Sequence, residues 1–355
     1  MNKRTRLAVL LLCVICFLIV APYIILYSLG YRVDFENLKI TATGGIYVRT
    51  FPAAEEIVID SKISKKPGIF NNAIFVQSLL PKDHTIAITK NGYYGYYKTL
   101  AVKEKEVAKL ENVLLFKKDI LFEVITDKTQ SPFLQQDPEG TPQEKFLIKN
   151  SNLYSANEKS IPVVKGLVAF IMQNNNIIWL GTDGLLYQSD STGKNPIKLT
   201  LIAIKIIKTG SYKIISDSQS IFINSNGNLL LLNRRTNSLD GFYNSIKDAE
   251  ISPNGKNIVY SNDKEIYISA IPNTTDESAL LYKSSEKISD FLWLNSDYII
   301  IVSGDKIIIS EIDYRGNINA ITLPQTADKI FFNRQDSKLY VSTQNTLLAS
   351  EKLTP

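Results

Sequence analysis

The sequence predicts a protein that is all β apart from one N-terminal transmembrane helix, with a small antiparallel β-sandwich followed by a β-propeller. Three observations predict this fold: an uncharged apolar stretch at the N-terminus, a block of short alternating strands, and a hairpin unit that recurs after it. They divide the chain into a cytoplasmic tail (1–6), a membrane helix (7–29), a sandwich (40–116) and a propeller (119–351) with an exposed loop at 131–145.

The apolar stretch at residues 7–29 contains no charged residue and is long enough, at about 23 residues, to cross a bilayer. The basic residues ahead of it are Lys3, Arg4 and Arg6, whereas the first acidic residue is Asp34. Because positive charge near a membrane helix is retained in the cytoplasm, this asymmetry predicts a cytoplasmic N-terminus. We therefore expect a single-pass protein of the cell membrane, with the bulk of the chain extracytoplasmic.

Two other fates of this stretch stay open, namely cleavage as a signal peptide and lipidation at Cys13. The apolar region of a signal peptide is usually about 7 to 15 residues long, which is shorter than the stretch found here. A lipoprotein processing site has a small residue directly before its cysteine, whereas Leu12 precedes Cys13 here. The sequence therefore favours an uncleaved anchor.

Composition excludes several functional classes. The formal net charge of +5 falls to about +2 without the N-terminal basic residues, so no nucleic-acid partner is indicated. Both cysteines, Cys13 and Cys16, lie in the apolar stretch, and His84 is the single histidine. Zinc sites, thiol nucleophiles and serine–histidine pairs need more of these side chains. We expect no metal, no cofactor and no catalytic residue of these types, and we interpret His84 as a structural residue beside a strand.

Residues 40–116 show apolar side chains at alternate positions in short segments, with Pro52, Pro67 and Pro81 between them. The predicted strands are 45–50, 57–60, 74–78, 84–90, 96–102 and 107–116. A period of two is typical of half-buried strands, so the region predicts a small antiparallel sandwich.

Five blocks of this region agree in order and spacing with a known family: GIYVRTFP (45–52), IVIDSK (57–62), KP (66–67), LPKDHTI (80–86) and KNGY (90–93). The region resembles a PEGA domain. It departs from the family pattern in the tetrapeptide PAAE (52–55) and at Ser61, which stands where the family has glycine. The resemblance implies a structural or surface-associated module and brings no catalytic residue with it.

An aromatic cluster follows the last of these blocks, at Tyr93, Tyr94, Tyr96 and Tyr97. Tyrosines between glycines can stack on a sugar or a peptidoglycan strand, so all four are possible ligand contacts. Alternation along a strand would instead send Tyr94 and Tyr96 to one face and Tyr93 and Tyr97 to the other, which favours core packing for at least one pair.

After a proline-bearing segment, a unit of strand, turn and strand recurs at 177–187, 221–230, 258–267, 299–308 and 339–348, with a weaker copy at 146–154. The turn residues Asp183, Asn226, Asp263, Asp305 and Asn345 are separated by 43, 37, 42 and 40 positions, close to the length of a propeller blade. Further apolar strands precede the hairpins at 167–172, 246–251, 288–294 and 327–333. Six blades fit best, and five or seven stay open.

The segment ISPNGKNIVY (251–260) is similar to the blade motif of Tol-type propellers, although the Trp-Asp ending of WD repeats is absent. Residues 120–125 form an apolar strand that could close the ring, and the propeller boundary at 119 includes it. Cleavage in the following proline-bearing linker (131–142) should release a propeller that stays folded, because its blades depend on one another. An unfolded fragment of 145–355 would mean that the boundary is wrong or that the strand 120–125 closes the ring.

The turn aspartates Asp183, Asp263 and Asp305 could act as catalytic carboxylates or calcium ligands, but hairpin turns with positive φ explain them better. We expect the innermost strands to be mainly Ile, Phe, Val and Leu. The sequence thus predicts a membrane-anchored extracytoplasmic binding or scaffolding protein whose partner is an envelope protein or glycan. The alternative is a carboxylate-dependent hydrolase or lyase acting on envelope glycans, which would need a carboxylate pair in the propeller tunnel.

Overall fold

The computed structural model describes residues 3–68, 71–125, 146–155, 161–271, 278–343 and 346–354. One helix precedes a succession of strands in this part of the chain, which confirms the predicted fold class. The chain divides into two compact units. The first extends to Asp119 and includes Arg315–Asn319, and the second comprises Ile120–Tyr314 and Ala320–Thr354. The predicted loop at 131–145 and the turn residue Asn345 lie outside the described residues.

Helix α1 (Lys3–Ser28) contains the predicted anchor. Its segment Val9–Ser28, 20 residues long, has the length and composition of a membrane-crossing helix, a property that it shares with signal sequences. At 1.5 Å per residue the segment is about 30 Å long, which matches the hydrocarbon core of a bilayer. Cys13 and Cys16 are free and exposed on this helix.

The rest of the first unit is a hairpin and two sheets. The hairpin pairs β1 (Tyr31–Asp34) with β2 (Lys39–Ala42). The strands that follow are β3 (Gly44–Phe51), β4 (Glu56–Ile59), β5 (Ile63–Lys65), β6 (Ala73–Leu79), β7 (Asp83–Thr89), β8 (Tyr96–Ala101) and β9 (Val107–Leu114). One sheet has the order β6-β3-β9 and the other β5-β4-β7-β8. All six predicted strands are present, to within two residues at each end.

The two sheets enclose one apolar core because alternate side chains of each strand face inward. Ile46 and Val48 of β3 meet Ile57 and Ile59 of β4 there, and all four are fully buried. One pairing differs from the predicted antiparallel arrangement, since β3 and β9 are parallel. A parallel neighbour requires a crossover, and here β7 and β8, which lie in the opposite sheet, connect β6 to β9. The segment Arg315–Asn319 adds side-chain caps to the edge of β8, where Asn317 Oδ1 accepts the Thr99 N–H at 2.8 Å.

The second unit consists of short strands only. They are β10 (Phe122–Val124), β11 (Phe146–Lys149), β12 (Asn152–Ser155), β13 (Pro162–Lys165), β14 (Leu167–Gln173), β15 (Asn176–Gly181), β16 (Leu186–Asp190), β17 (Ile197–Lys198), β18 (Tyr212–Ser216), β19 (Ile221–Ser225), β20 (Asn228–Asn233), β21 (Ser238–Tyr243), β22 (Asp248–Ile251), β23 (Asn257–Ser261), β24 (Glu265–Ala270), β25 (Ala279–Lys283), β26 (Ile288–Trp293), β27 (Tyr298–Ser303), β28 (Lys306–Glu311), β29 (Ala320–Thr326), β30 (Lys329–Asn333), β31 (Lys338–Ser342) and β32 (Leu347–Lys352).

These strands form six antiparallel sheets within the described residues, as expected for six blades. The sheets are β11–β13, β14–β17, β18–β21, β22–β25, β26–β29 and β30–β32, and the last gains β10 as a fourth strand. The five full hairpins each supply the two middle strands of a blade, whereas the weaker copy at 146–154 forms β11 and β12 of a three-stranded sheet. Because β10 precedes the first blade and pairs with β32 of the sixth, it joins the two ends of the ring.

Neighbouring blades pack face to face. In β19, Ile221 and Ile223 contact the blade before, whereas Phe222 contacts the blade after. Ile178 and Tyr260 are among the buried partners on the two sides. A strand that is buried on both faces needs apolar side chains at every position, which explains the unbroken apolar runs in the sequence.

The hairpin turns differ in part from the expected chemistry. Asn226 and Gly227 both have positive φ, 53° and 83°, so this turn is confirmed as the type that asparagine and glycine favour. The prediction is wrong for Asp183, Asp263 and Asp305, since none of the three, all within the described chain, has positive φ. The neighbours with positive φ are Gly184, after Asp183, and Gly304, before Asp305; glycine adopts this conformation readily because it has no Cβ to clash.

Candidate functional site

Charged side chains from consecutive blades lie on the first, innermost strands of those blades. These strands approach one another pairwise: β14 with β18, β18 with β22, and β26 with β30. The charged set, called here the inner-strand cluster, comprises Lys213 of β18, Asp248 and Glu250 of β22, Asp290 of β26 and Arg334 just after β30. Each member acts electrostatically on Glu250. The innermost strands therefore carry charged side chains in addition to the Ile, Phe, Val and Leu expected there.

One ion pair of the cluster joins adjacent blades. Lys213 Nζ lies 2.7 Å from Asp248 Oδ1, and both side chains are about half exposed. The same carboxylate oxygen accepts the backbone N–H of Ala249 at 2.8 Å. An ion pair that remains in contact with water adds little stability. Its side chains are therefore available to a ligand without a large loss of folding energy.

Glu250 is the most perturbed carboxyl of the cluster. Loss of hydration raises its pKa to about 7, and the negative charges of Asp248 and Asp290 act in the same direction, while Lys213 and Arg334 oppose them. Its side chain retains partial contact with solvent. No hydrogen-bond donor among the described residues reaches its carboxylate, whereas its backbone oxygen accepts the Trp293 indole N–H at 3.3 Å.

Asp290 lies on the next blade, and its pKa is also raised by burial. The backbone N–H groups of Phe291 and Ile330 donate to its carboxylate and partly offset that effect. Since Ile330 belongs to β30, the carboxylate of Asp290 links the fifth blade to the sixth. It is thus held in place, whereas the carboxylate of Glu250 is not.

The chemistry of this arrangement follows from the two perturbed acids. A carboxyl with a pKa near 7 exchanges its proton close to neutrality, so Glu250 can accept a hydrogen bond when ionised and donate one when neutral. Lys213 and Arg334 place positive charge beside it. The cluster can therefore bind a polar ligand that presents both donors and acceptors, such as a sugar or a peptide backbone.

A sequence signal for this cluster exists. Asp248 and Glu250 are two residues apart within an apolar segment, and alternation places them on the same face of a strand. Asp290 occupies the equivalent strand of the following blade. What the sequence did not reveal is that these strands are innermost, because that position is set by closure of the ring.

The four tyrosines of the first unit do not form one aromatic surface. Strand β8 begins only at Tyr96, which is 4% exposed and belongs to the core. Tyr97 is 58% exposed, and its ring lies over Gly95, where a Cβ would come within 2.9 Å of it. Tyr93 and Tyr94 precede the strand and are half-buried. Tyr97 thus presents the largest aromatic area, and ligand contact by these tyrosines stays a prediction.

His84 joins two turns of the sandwich. It is 3% exposed, with Nδ1 2.6 Å from Asp60 Oδ2 and Nε2 2.8 Å from the Leu80 carbonyl oxygen. Asp60 Oδ1 accepts the Thr85 N–H at 3.0 Å, and Asp60 itself has a φ of 53°. The imidazole therefore holds a strained turn against β7, and both of its nitrogens are engaged by the protein.

We expect His84→Ala to lower the free energy of unfolding of the first unit by about 2 to 4 kcal/mol, because it removes a buried ring together with its contacts to Asp60 Oδ2 and the Leu80 carbonyl oxygen. Urea unfolding measures it, with the exposed neighbour Thr85→Ala as the control. A loss of ligand binding of about a hundredfold with the fold intact would contradict the structural role, since that equals about 2.7 kcal/mol at a binding site.

The remaining turn carboxylates serve local structure. Asp183 accepts the Tyr187 hydroxyl at 2.5 Å, which raises the pKa of Tyr187 to about 12, and its other oxygen accepts the Leu185 N–H. Among the described residues, no three His, Cys, Asp or Glu side chains come together as a group that could hold a metal ion.

No known protein family matches the chain, and no curated protein matches it. Several solved structures are similar to it. They include YCF48 bound to a peptide (12% identity, 86% of this chain and 96% of that chain, TM-score 0.39), the extracellular domain of a one component system from B. thetaiotaomicron (8%, 77% and 40%, 0.43) and a gluconolactonase from Xanthomonas campestris (13%, 50% and 68%, 0.33). Since these TM-scores lie below 0.5, assignment of the propeller rests on its own six sheets.

Proposed function

We propose that the protein is a membrane-anchored extracytoplasmic binding or scaffolding protein of the cell envelope, with the propeller as its interaction platform. The observation that carries this proposal is the inner-strand cluster. Charges of both signs, from Lys213 to Arg334, converge from successive blades around the unpartnered carboxylate of Glu250. A propeller with a purely structural role does not require charged side chains on its innermost strands.

The first unit supports the same proposal as a structural module. The PEGA-like order of its sequence blocks and the buried His84, whose nitrogens both contact the protein, fit a structural or surface-associated module. In this proposal the exposed ring of Tyr97 offers a secondary contact for a sugar, and the propeller binds the principal partner, an envelope protein or glycan.

The test is capture of an envelope component by the full-length protein in detergent, with a matched pair of variants. Lys213→Ala removes the ion pair to Asp248 in the cluster. Lys283→Ala removes an ion pair of similar length, 2.9 Å to Glu265, on the outer strands of the fourth blade. We expect the first variant to lose at least about tenfold in affinity for the captured component, or about 1.4 kcal/mol. Equal retention by both variants would place binding elsewhere.

A second candidate, a carboxylate-dependent hydrolase or lyase acting on envelope glycans, is favoured by one observation. Glu250 and Asp290 are two carboxyls with raised pKa on adjacent innermost strands, and an acid with a pKa near 7 suits general acid catalysis. Incubation with isolated envelope glycans tests this. Release of new reducing ends that falls about a hundredfold or more in Glu250→Gln, and not in Glu265→Gln, would favour the enzyme.

A further inference from the structure

The hairpin β1–β2 exposes large apolar side chains directly after the membrane helix. Helix α1 ends at Ser28 and β1 begins at Tyr31, so only two residues separate them. Phe35 and Leu38, in the turn of the hairpin, are 81% and 86% exposed, and Ile40 of β2 is 57% exposed. Water-exposed aromatic and aliphatic side chains at the tip of a hairpin are costly unless another apolar phase covers them.

The hairpin folds back beside the last turns of the helix instead of projecting away from it. An open cleft of about 210 Å³ is lined on one side by Tyr23 and Tyr27 of α1 and on the other by Phe35 and Ile40. Tyr23 lies five residues before the helix end, or about 7.5 Å along the axis at 1.5 Å per residue. Phe35 is therefore level with the final turns of the candidate membrane span.

Several contacts hold the hairpin in this position. Arg32 Nη1 donates to the carbonyl oxygens of Tyr27 and Tyr31, both at 2.8 Å, and its guanidinium lies 3.5 Å from the centre of the Tyr27 ring. Arg32 Nη2 also donates to Ser78 Oγ of β6 at 3.1 Å. The hairpin is thus fastened both to the helix and to the sandwich, and its position relative to the helix is defined.

The turn of the hairpin is equally well ordered. Asp34 is 7% exposed, and its carboxylate accepts the backbone N–H groups of Glu36 and Asn37 at 3.0 and 3.3 Å. The Asn37 side-chain amide, which donates to Asp34 Oδ2 at 2.8 Å, lowers the pKa of Asp34 most, and the two backbone N–H groups act in the same direction. Glu36 in turn pairs with Lys82 Nζ at 2.7 Å. The polar groups of the turn are therefore satisfied by the protein, while Phe35 and Leu38 remain uncovered.

We propose that Phe35, Leu38 and Ile40 insert into the interfacial region of the outer phospholipid leaflet and seat the first unit against the membrane. This inference rests on the proposed anchoring by α1. The hairpin is continuous with the helix and lies beside its final turns. If the helix spans the membrane, the apolar phase at that level is therefore lipid. Arg32 then lies at the level of the phosphates, where cation and aromatic ring are both favoured.

The test places a fluorescent probe in the full-length chain. In a background of Cys13→Ala and Cys16→Ala, single variants Phe35→Cys, Leu38→Cys and Asn91→Cys are labelled with an environment-sensitive dye and reconstituted into phospholipid vesicles. Asn91 is the matched control, since it is exposed and lies at the far end of the seven-residue strand β7, about 23 Å from Lys82 and the hairpin turn.

We expect phospholipids brominated near the top of the acyl chain to quench the probes at 35 and 38 by roughly half and to leave the probe at 91 unchanged, as insertion of about 5 to 10 Å requires. Retention of the protein after an alkaline wash reports anchoring separately. Release from the vesicles would overturn both anchoring and insertion. Retention without quenching at 35 and 38, at both high and low protein-to-lipid ratios, would overturn insertion alone.

Discussion

A propeller fragment that begins at residue 145 will be less stable than one that begins at residue 120, by about 3 to 5 kcal/mol. The shorter fragment lacks β10 and the buried side chain of Ile120, which is 6% exposed and is worth about 2 kcal/mol. It also loses the backbone pairing with β32, including Ile125 N–H to the Leu347 oxygen at 2.8 Å and Glu351 N–H to the Leu121 oxygen at 2.8 Å, at about 1 kcal/mol per bond. Urea unfolding followed by circular dichroism measures the difference.

A matched pair of proline variants in the longer fragment separates pairing from burial. Ile125→Pro removes the donor to Leu347, whereas the N–H of Val124 points away from β32 and Val124→Pro removes no such bond. We expect only Ile125→Pro to destabilise, by about 1 to 2 kcal/mol. Equal stability of the fragments from 120 and 145 would show that β10 does not close the ring.

Replacement of Glu250 by Gln is expected to stabilise the propeller at pH 8 by about 3 kcal/mol and to have little effect at pH 4. The folded pKa of Glu250 is about 7 against 4.5 when unfolded, so the folded state binds the additional proton and stability falls as the pH rises between these values. Glutamine mimics the neutral acid and removes the loss. In thermal unfolding the gain corresponds to roughly 5 to 10 °C.

Glu265 provides a control of opposite sign. Its hydrogen bonds to Lys283, Asn262 and Tyr267 lower its pKa to about 2, so it stabilises the fold above its unfolded pKa and that contribution disappears as the pH falls from 4.5 to 2. Glu265→Gln should therefore destabilise at pH 8, where Glu250→Gln stabilises. A Glu250→Gln variant with the same relative stability at pH 4 and pH 8 would contradict the desolvated state of this carboxyl.

The sequence predicted the elements whose pattern is local. The hairpins appear at their expected positions because each combines two apolar runs with a short polar turn, as at Asn226. The apolar N-terminal helix and the sandwich strands were equally clear, the helix from its uncharged length and the strands from the period of their apolar residues. The positive-φ assignment failed at Asp183, Asp263 and Asp305 because an aspartate can also stabilise a turn through its carboxylate, without a positive φ. The hydrogen bond that the Asp183 carboxylate accepts from the Tyr187 hydroxyl is an example.

Features that depend on distant partners were not predictable in the same way. The parallel pairing of β3 with β9 depends on which sheet the chain re-enters after β8. The hairpin β1–β2 was missed because it is short and its apolar residues at Phe35, Leu38 and Ile40 face outward instead of into a core. The inner-strand cluster required knowledge of ring closure, and without it Asp248 and Glu250 are two acids on one face of a short strand.

Protease accessibility in intact cells tests most directly whether the all-β part of the chain is extracytoplasmic. The protein carries one epitope tag before Lys3 and another after Leu353, and protease is added outside the cells before and after permeabilisation. We expect the propeller and its C-terminal tag to be digested without permeabilisation, while the N-terminal tag stays protected because Lys3, Arg4 and Arg6 retain it in the cytoplasm. Full protection of the chain after Tyr31 in intact cells would contradict a membrane-anchored extracytoplasmic propeller.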